Sequence, residues 1–170
     1  KLAIDLIDSG TEGELVVSGR LGGLLPRPNH PLVDSADFEG PAWSIRRTLS
    51  LESDAWILDH AIDGTPVLPG VIGVELMVTA AQLIHPGQTF AGLTQVAFKS
   101  PVKMHRGESV ELEVIATPTE THATTCTLFS ERILKTGKRL RTEHFTSTVW
   151  LGSGPEIAPL EEGATAIGEI

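Results

Sequence analysis

Cysteine is nearly absent: Cys126 is the only one in the chain. A lone thiol excludes an internal disulfide and any cysteine metal cluster. Its neighbours Thr124, Thr125, Thr127 and Leu128 read as strand, so a plain buried thiol is expected. Positive charge is also short, with 13 Lys and Arg against 22 Asp and Glu. The net charge of −9 argues against nucleic acid or an anionic membrane surface as a partner. No apolar run reaches membrane-spanning length. No charged-then-apolar leader follows Lys1, so a cytoplasmic protein is expected. The missing initiator Met is what a piece cut from a longer protein, or a chain with a removed tag, would show. His85, His105, His122 and His144 share no metal-ligand spacing, so no metal is expected either.

What remains is ordinary for a soluble globule: 170 residues, 41% hydrophobic and 21% charged. That length suits one domain with a core of its own. Residues 1–40 are mixed, with 1–27 an N-terminal linker or flanking segment. Glu14 to Gly19 reads as a short strand, and Gly22, Gly23, Pro26, Pro28 and Pro31 as loop or linker. From Trp43 the pattern firms. Trp43, Ile45, Arg47 and Leu49 alternate with smaller or polar residues, as a half-buried strand does. Gly70 to His85 is apolar on nearly all sides, which predicts a helix buried centrally, ended by Pro86-Gly87. Four strand-like segments follow, at 90–98, 109–116, 122–133 and 139–150, with Gly137-Lys138 as the last turn. Residues 153–170 read as a C-terminal linker. The pattern predicts an α+β domain over 28–152, an antiparallel sheet wrapped around one long central helix. Trp43, Trp56 and Trp150 are expected in its core.

Chemistry concentrates between Leu58 and Gly70. His60, Gly64 and Pro69 stand in the spacing HxxxGxxxxP, ahead of the helix. A histidine accepts a proton near neutral pH. A glycine lets the backbone approach a ligand with its N–H free. A Pro-Gly helix entry aims unpaired N–H groups outward. Together these suit a site that holds a thioester carbonyl and removes the proton beside it. Asp59 and Asp63 flank the histidine and read as turn or cap groups. His30 reads as a packing or loop residue. Arg46-Arg47 and the run from Lys135 to Arg141 read as solvated faces or a docking spot for an acidic partner.

This outline and motif resemble the hot-dog fold of acyl-carrier-protein dehydratases. The likeness is closest to the first half of the dehydratase domain in modular polyketide and fatty-acid megasynthases. It rests on His60, Gly64 and Pro69, on His30-Pro31-Leu32-Val33, and on the approach Asp54-Ala55-Trp56-Ile57-Leu58-Asp59-His60. The tract from Leu68 to Glu75 is also similar to stand-alone bacterial 3-hydroxyacyl dehydratases. The resemblance implies a hydro-lyase that eliminates water from a 3-hydroxyacyl thioester. His60 would take the C2 proton. The N–H groups of Gly64, Gly70 and Val71 would polarise the carbonyl, and Pro69 would shape the helix entry. No cofactor is implied, since the substrate rides on the phosphopantetheine arm of an acyl carrier protein. The catalytic acid is the open point. In megasynthases it is an aspartate of a second hot-dog repeat, which would lie beyond Ile170. In stand-alone enzymes it is a glutamate across a dimer, and Glu75 stands where that residue stands. The fragment alone is therefore expected to be incomplete and to pair with a second repeat or a copy of itself. Glu75, being rarely tolerated unpaired in a core, is expected to have a partner. The competing readings are a non-catalytic hot-dog module that binds acyl chains or scaffolds a synthase, and an acyl thioesterase.

Overall fold

Strict alternation of buried and less buried side chains builds the sheet. Val110, Leu112, Val114 and Ala116 all point into the core from one strand, and Thr124, Cys126, Leu128 and Ser130 from the next. The computed structural model describes residues 30–105, 109–120, 122–133 and 136–154. Its elements are β1 (Ser35–Glu39), β2 (Ala42–Ser50), a single 3-10 turn (Ala55–Asp59), β3 (Ala61–Ile62), β4 (Thr65–Pro66), α1 (Gly70–Ile84), β5 (Phe90–Phe98), β6 (Ser109–Glu120), β7 (Ala123–Ile133) and β8 (Arg139–Leu151). Six strands form one antiparallel sheet in the order β1-β2-β6-β7-β8-β5, and β3 and β4 form a separate small hairpin. The sheet packs on α1, and Leu76, Met77, Ala80 and Ala81 of the helix meet Leu112, Leu128, Phe145 and Val149 in one core cluster. This is the α+β arrangement expected, a sheet around one helix. Cys126 is buried in β7, and burial pushes its thiol up to about 12, so it is inert at neutral pH. The strand at 14–19, the linker at 1–27 and nearly all of that at 153–170 lie outside the described residues.

Three expectations change. Along its middle, from Leu76 to Ala81, the helix is buried on all sides; only toward its ends do Val71, 73% exposed, and Glu75, Gln82 and Leu83 face outward. Glu75 makes no hydrogen bond or ion pair with the described residues; being exposed, it needs none. Trp56 sits on the 3-10 turn and is exposed, not in the core. Trp150 is half-buried and its indole N–H donates to Thr94 Oγ1 at 2.9 Å. The strand β1 and the ribbon β3–β4 add to the sequence outline. Both are short, and a two-residue strand carries no period to read.

Gly73 sits where helix and sheet touch most closely. A Cβ there would overlap the ring of Phe145, which is itself buried in β8. Elsewhere in a helix, Gly→Ala gains about 1 kcal/mol. Here overpacking dominates, and Gly73→Ala should instead lower stability by about 1–3 kcal/mol in urea denaturation. A stabilised variant would show that helix and sheet are not in this contact.

Candidate active site

His60 is placed by a chain of local contacts that begins in β2. Arg47 of β2 reaches Asp34 at 3.0 Å and Asp54 at 2.8 Å. Asp54 also accepts from the Ser50 amide at 3.1 Å and the Ser53 hydroxyl at 2.7 Å. Burial alone would raise both carboxyls. The Thr48 amide on Asp34, the Ser53 and Ser50 bonds on Asp54, and Arg47 beside each outweigh it, so both stay below the ordinary aspartate range. These contacts close the turn after β2 and launch the 3-10 turn, whose Ile57 is fully buried. The His60 amide then donates to the Ile57 carbonyl at 3.1 Å. Arg47 is thus a paired, half-buried side chain and not a free solvated one. Arg46 is engaged likewise, with Asp37 and Glu113.

From His60 the chain makes a two-residue hairpin. Asp63 (φ 49°) and Gly64 (φ 72°) both take the left-handed conformation, the requirement of a type I′ turn, for which Asp-Gly is a preferred pair. The hairpin closes on itself at its base. The Val67 amide donates to the His60 carbonyl at 2.9 Å, and the His60 ring nitrogen Nδ1 lies 2.8 Å from the Val67 carbonyl. A carbonyl only accepts, so in the neutral ring Nδ1 carries the proton. Nε2 is then left with a free lone pair, the state a general base needs.

Beyond Val67, the Leu68 amide donates to the Val102 carbonyl at 2.9 Å, and the chain enters α1 at Pro69. Pro69 is the N-cap. No side chain caps the helix and no acid lies in its first turn. The Ile72 and Gly73 amides turn back to the Pro69 carbonyl. Among the described residues no acceptor meets the amides of Gly70 and Val71, so both are available to a ligand oxygen.

These parts line an open groove of about 340 Å³. Its lining takes His60, Ile62, Val67 and Leu68 from the hairpin and its exit, Gly70 from the helix start, and residues 98–101 from the end of β5 and the segment after it. Phe98 is 59% exposed and packs edge-on against Phe145, with ring centroids 5.0 Å apart. Gly70 leaves room for that ring, since a Cβ there would stand 3.1 Å from it. No carboxylic acid is among the lining residues. Gly64 lies apart. It borders a separate depression with Leu58, Pro66 and His105, so the structure does not bring it into one cavity with His60 and Gly70. Its positive φ accounts for the glycine through the turn instead. Nor does Glu75 line the groove. The wall at Phe98, Lys99 and Ser100 carried no motif in the sequence; only the Ser-Pro pair after a strand marks it, as a chain that leaves its sheet. No group of three or more possible metal-ligating side chains occurs among the described residues.

Comparison with known proteins follows the same lines. A family described as polyketide synthase dehydratase domain matches residues 30–131. A structure bearing on dehydratase substrate selection for the borrelidin and fluvirucin polyketide synthases is 23% identical, with a TM-score of 0.62 over 81% of this chain and 47% of that one. A fusion DH domain is 26% identical (TM-score 0.61, 74% of this chain, 45% of that one). The dehydratase domain from the terminal module of the rifamycin polyketide synthase is 24% identical (TM-score 0.61, 78% and 46%). The chain therefore spans just under half the length of the structures it matches. No curated protein matches it.

The ring geometry of His60 is directly measurable. Nitrogen NMR of the labelled imidazole should show the Nδ1–H tautomer as the dominant neutral form, with Nε2 unprotonated. A ring that is mainly Nε2–H would remove the lone pair from the groove and contradict the site.

Proposed function

The chain belongs to the polyketide synthase dehydratase domain family, and from that premise we propose that it is the first hot-dog half of a 3-hydroxyacyl-carrier-protein dehydratase. The observation that carries the proposal is His60, with Nδ1 held by Val67, sharing a groove with the uncapped start of α1. The thioester carbonyl accepts hydrogen bonds from the Gly70 and Val71 amides, which acidifies C2. His60 Nε2 takes the C2 proton. The electron pair forms the C2–C3 double bond, and the 3-hydroxyl leaves as water after an acid protonates it. Pro69 keeps the helix entry free of a competing cap. Gly64 serves the carbonyl only through the turn it permits.

The acid comes from outside this groove, whose lining holds none. In this reading it is an aspartate of a second hot-dog repeat, or Glu75 of a second copy. The surface suits either partner. Phe90, Val96 and Phe98 are exposed on β5, an edge strand, and Val71 and Leu83 are exposed on α1. The related structures are about twice as long as the matched part of this chain. The substrate arrives on the phosphopantetheine arm of an acyl carrier protein, in the cytoplasm, with no dissociable cofactor. No described helix is long and apolar enough to cross a membrane. Docking at Arg46 and Arg47 finds no support, since both are already ion-paired. A second reading, a non-catalytic acyl-binding module, draws on the same missing acid. A thioesterase, which needs a carboxylate to activate water, has none in the groove.

In the intact parent, His60→Ala should lower dehydration of a 3-hydroxyacyl pantetheine thioester by ~10²–10⁴ with the fold retained. Unchanged turnover in a folded variant would end the assignment. The chain alone should be nearly inactive as a monomer. Turnover by a dimer that vanishes in Glu75→Gln would make Glu75 the acid.

A further inference from the structure

Beyond Phe98, the last residue of β5, the lining that shares the groove with His60 is not part of the sheet. After Phe98 the chain leaves β5, and residues 99–104 run without strand pairing except for a single bridge between Lys103 and Val67. One end of this segment is tied to β4 and its flank, through Leu68 to Val102 and Met104 to Pro66. The other end is tied to His144 of β8. The Lys99 amide donates to the His144 carbonyl at 2.7 Å and the Ser100 amide to the same oxygen at 3.4 Å. The His144 side chain adds a further tie. It is buried, and its Nδ1 lies 3.0 Å from both the carbonyl and the hydroxyl of Ser100. Its Nε2 lies 2.8 Å from the buried Ser130 hydroxyl of β7. The Ser100 hydroxyl itself donates to the Glu143 carbonyl at 2.9 Å.

These contacts assign the ring. The Ser100 carbonyl accepts only, so Nδ1 carries the proton, and Nε2 accepts from the Ser130 hydroxyl. Every polar atom of a neutral imidazole is thereby satisfied in a buried place. Burial pushes the pKa of His144 down and the charge of Arg132 pushes the same way, against the Ser100 bond, so the ring stays neutral at pH 7. It is a fixed donor and not a proton carrier.

We propose that His144 is a positioning residue: by clamping Ser100 to β7 and β8 it holds the Phe98–Pro101 part of the groove that His60 also lines. The idea rests on the dehydratase reading for its consequence in turnover, though not for the clamp itself. The two halves of the ring make the clamp testable. The amide nitrogen of an asparagine stands near where Nδ1 stands and donates as it does, and the amide oxygen of a glutamine reaches the place of Nε2 and accepts from Ser130 as it does. His144→Asn therefore keeps the Ser100 bond and loses Ser130. His144→Gln keeps Ser130 and loses Ser100.

The experiment is amide hydrogen exchange on the 170-residue chain without ligand. His144→Gln should speed exchange at Lys99 and Ser100 by tenfold or more, while Leu128 in the sheet core stays protected. His144→Asn should stay near the wild type at both amides. Equal losses in the two variants, or none in His144→Gln, would overturn the clamp. If neither folds, nitrogen NMR of the labelled His144 imidazole in the wild-type chain decides. A slowly exchanging Nδ1–H supports the clamp on the Ser100 carbonyl, and a ring protonated on Nε2 alone refutes it. In the intact parent, His144→Gln should lower kcat/KM for a 3-hydroxyacyl pantetheine thioester about tenfold with an unshifted pH profile, and His144→Asn should restore it. A shifted profile would mean that His144 moves protons and is not a positioning residue. A parent with no dehydration at all would fail the functional reading, and the exchange result would still decide the clamp.

Discussion

A histidine works as a base only when the nitrogen that faces the substrate lacks a proton, and here one carbonyl sets that condition. Val67 accepts from His60 Nδ1 and, through its own amide, donates back to the His60 carbonyl. The same pair closes the hairpin and selects the tautomer. The hairpin needs Asp63 and Gly64 in left-handed conformations to span the eight residues from His60 to Val67. It also needs a firm start, which Ile57 provides from the core and Arg47 from its pairs with Asp34 and Asp54. Loss of Arg47 would leave Asp54 charged with only 6% of its side chain in water. That cost is several kcal/mol for fully buried pairs and less here, where solvent still reaches Arg47.

In the proposed reaction the helix offers the carbonyl donors, and their availability has a different origin. Its first amides are free because the first N–H groups of a helix have no internal partner and Pro69 brings no side-chain cap. In an ordinary helix that would be a small loss of stability. At the head of a groove it leaves donors aimed at an incoming oxygen. The close approach of Gly73 to Phe145 and of Gly70 to Phe98 lets the helix start lie near β5 and β8. Two glycines at one helix end therefore set the depth of the groove, at a cost in helix propensity of about 1 kcal/mol each.

Much of this was legible in the residues. The helix at Gly70–Ile84 and the strands after it follow from periodicity, and the HxxxGxxxxP spacing marked His60, Gly64 and Pro69 together. The reading of Gly64 as a ligand contact did not carry over into the cavity. Ile62-Asp63-Gly64-Thr65 is a two-residue hairpin signal, and its glycine answers a backbone need. The apolar run from Val71 to Ile84 implies a central helix, and its middle is buried, while Val71 and Leu83 near its ends are exposed. Apolarity alone does not say whether the covering surface belongs to the same chain. The part of the groove from Phe98 to Pro101 was invisible because Ser100 and His144 are 44 residues apart and meet only when β5 and β8 pair.

The central claim is that this chain holds the base and the carbonyl donors of a dehydration site while the acid lies elsewhere. Base and donors without an acid should still loosen the C2 proton of a bound acyl thioester. The direct measurement is deuterium incorporation at C2 of a saturated acyl pantetheine thioester, which has no hydroxyl to lose, incubated with the chain in heavy water. The account predicts incorporation above the buffer rate that disappears in His60→Ala and persists in Glu75→Gln. Incorporation no faster with the wild type than with His60→Ala would contradict it.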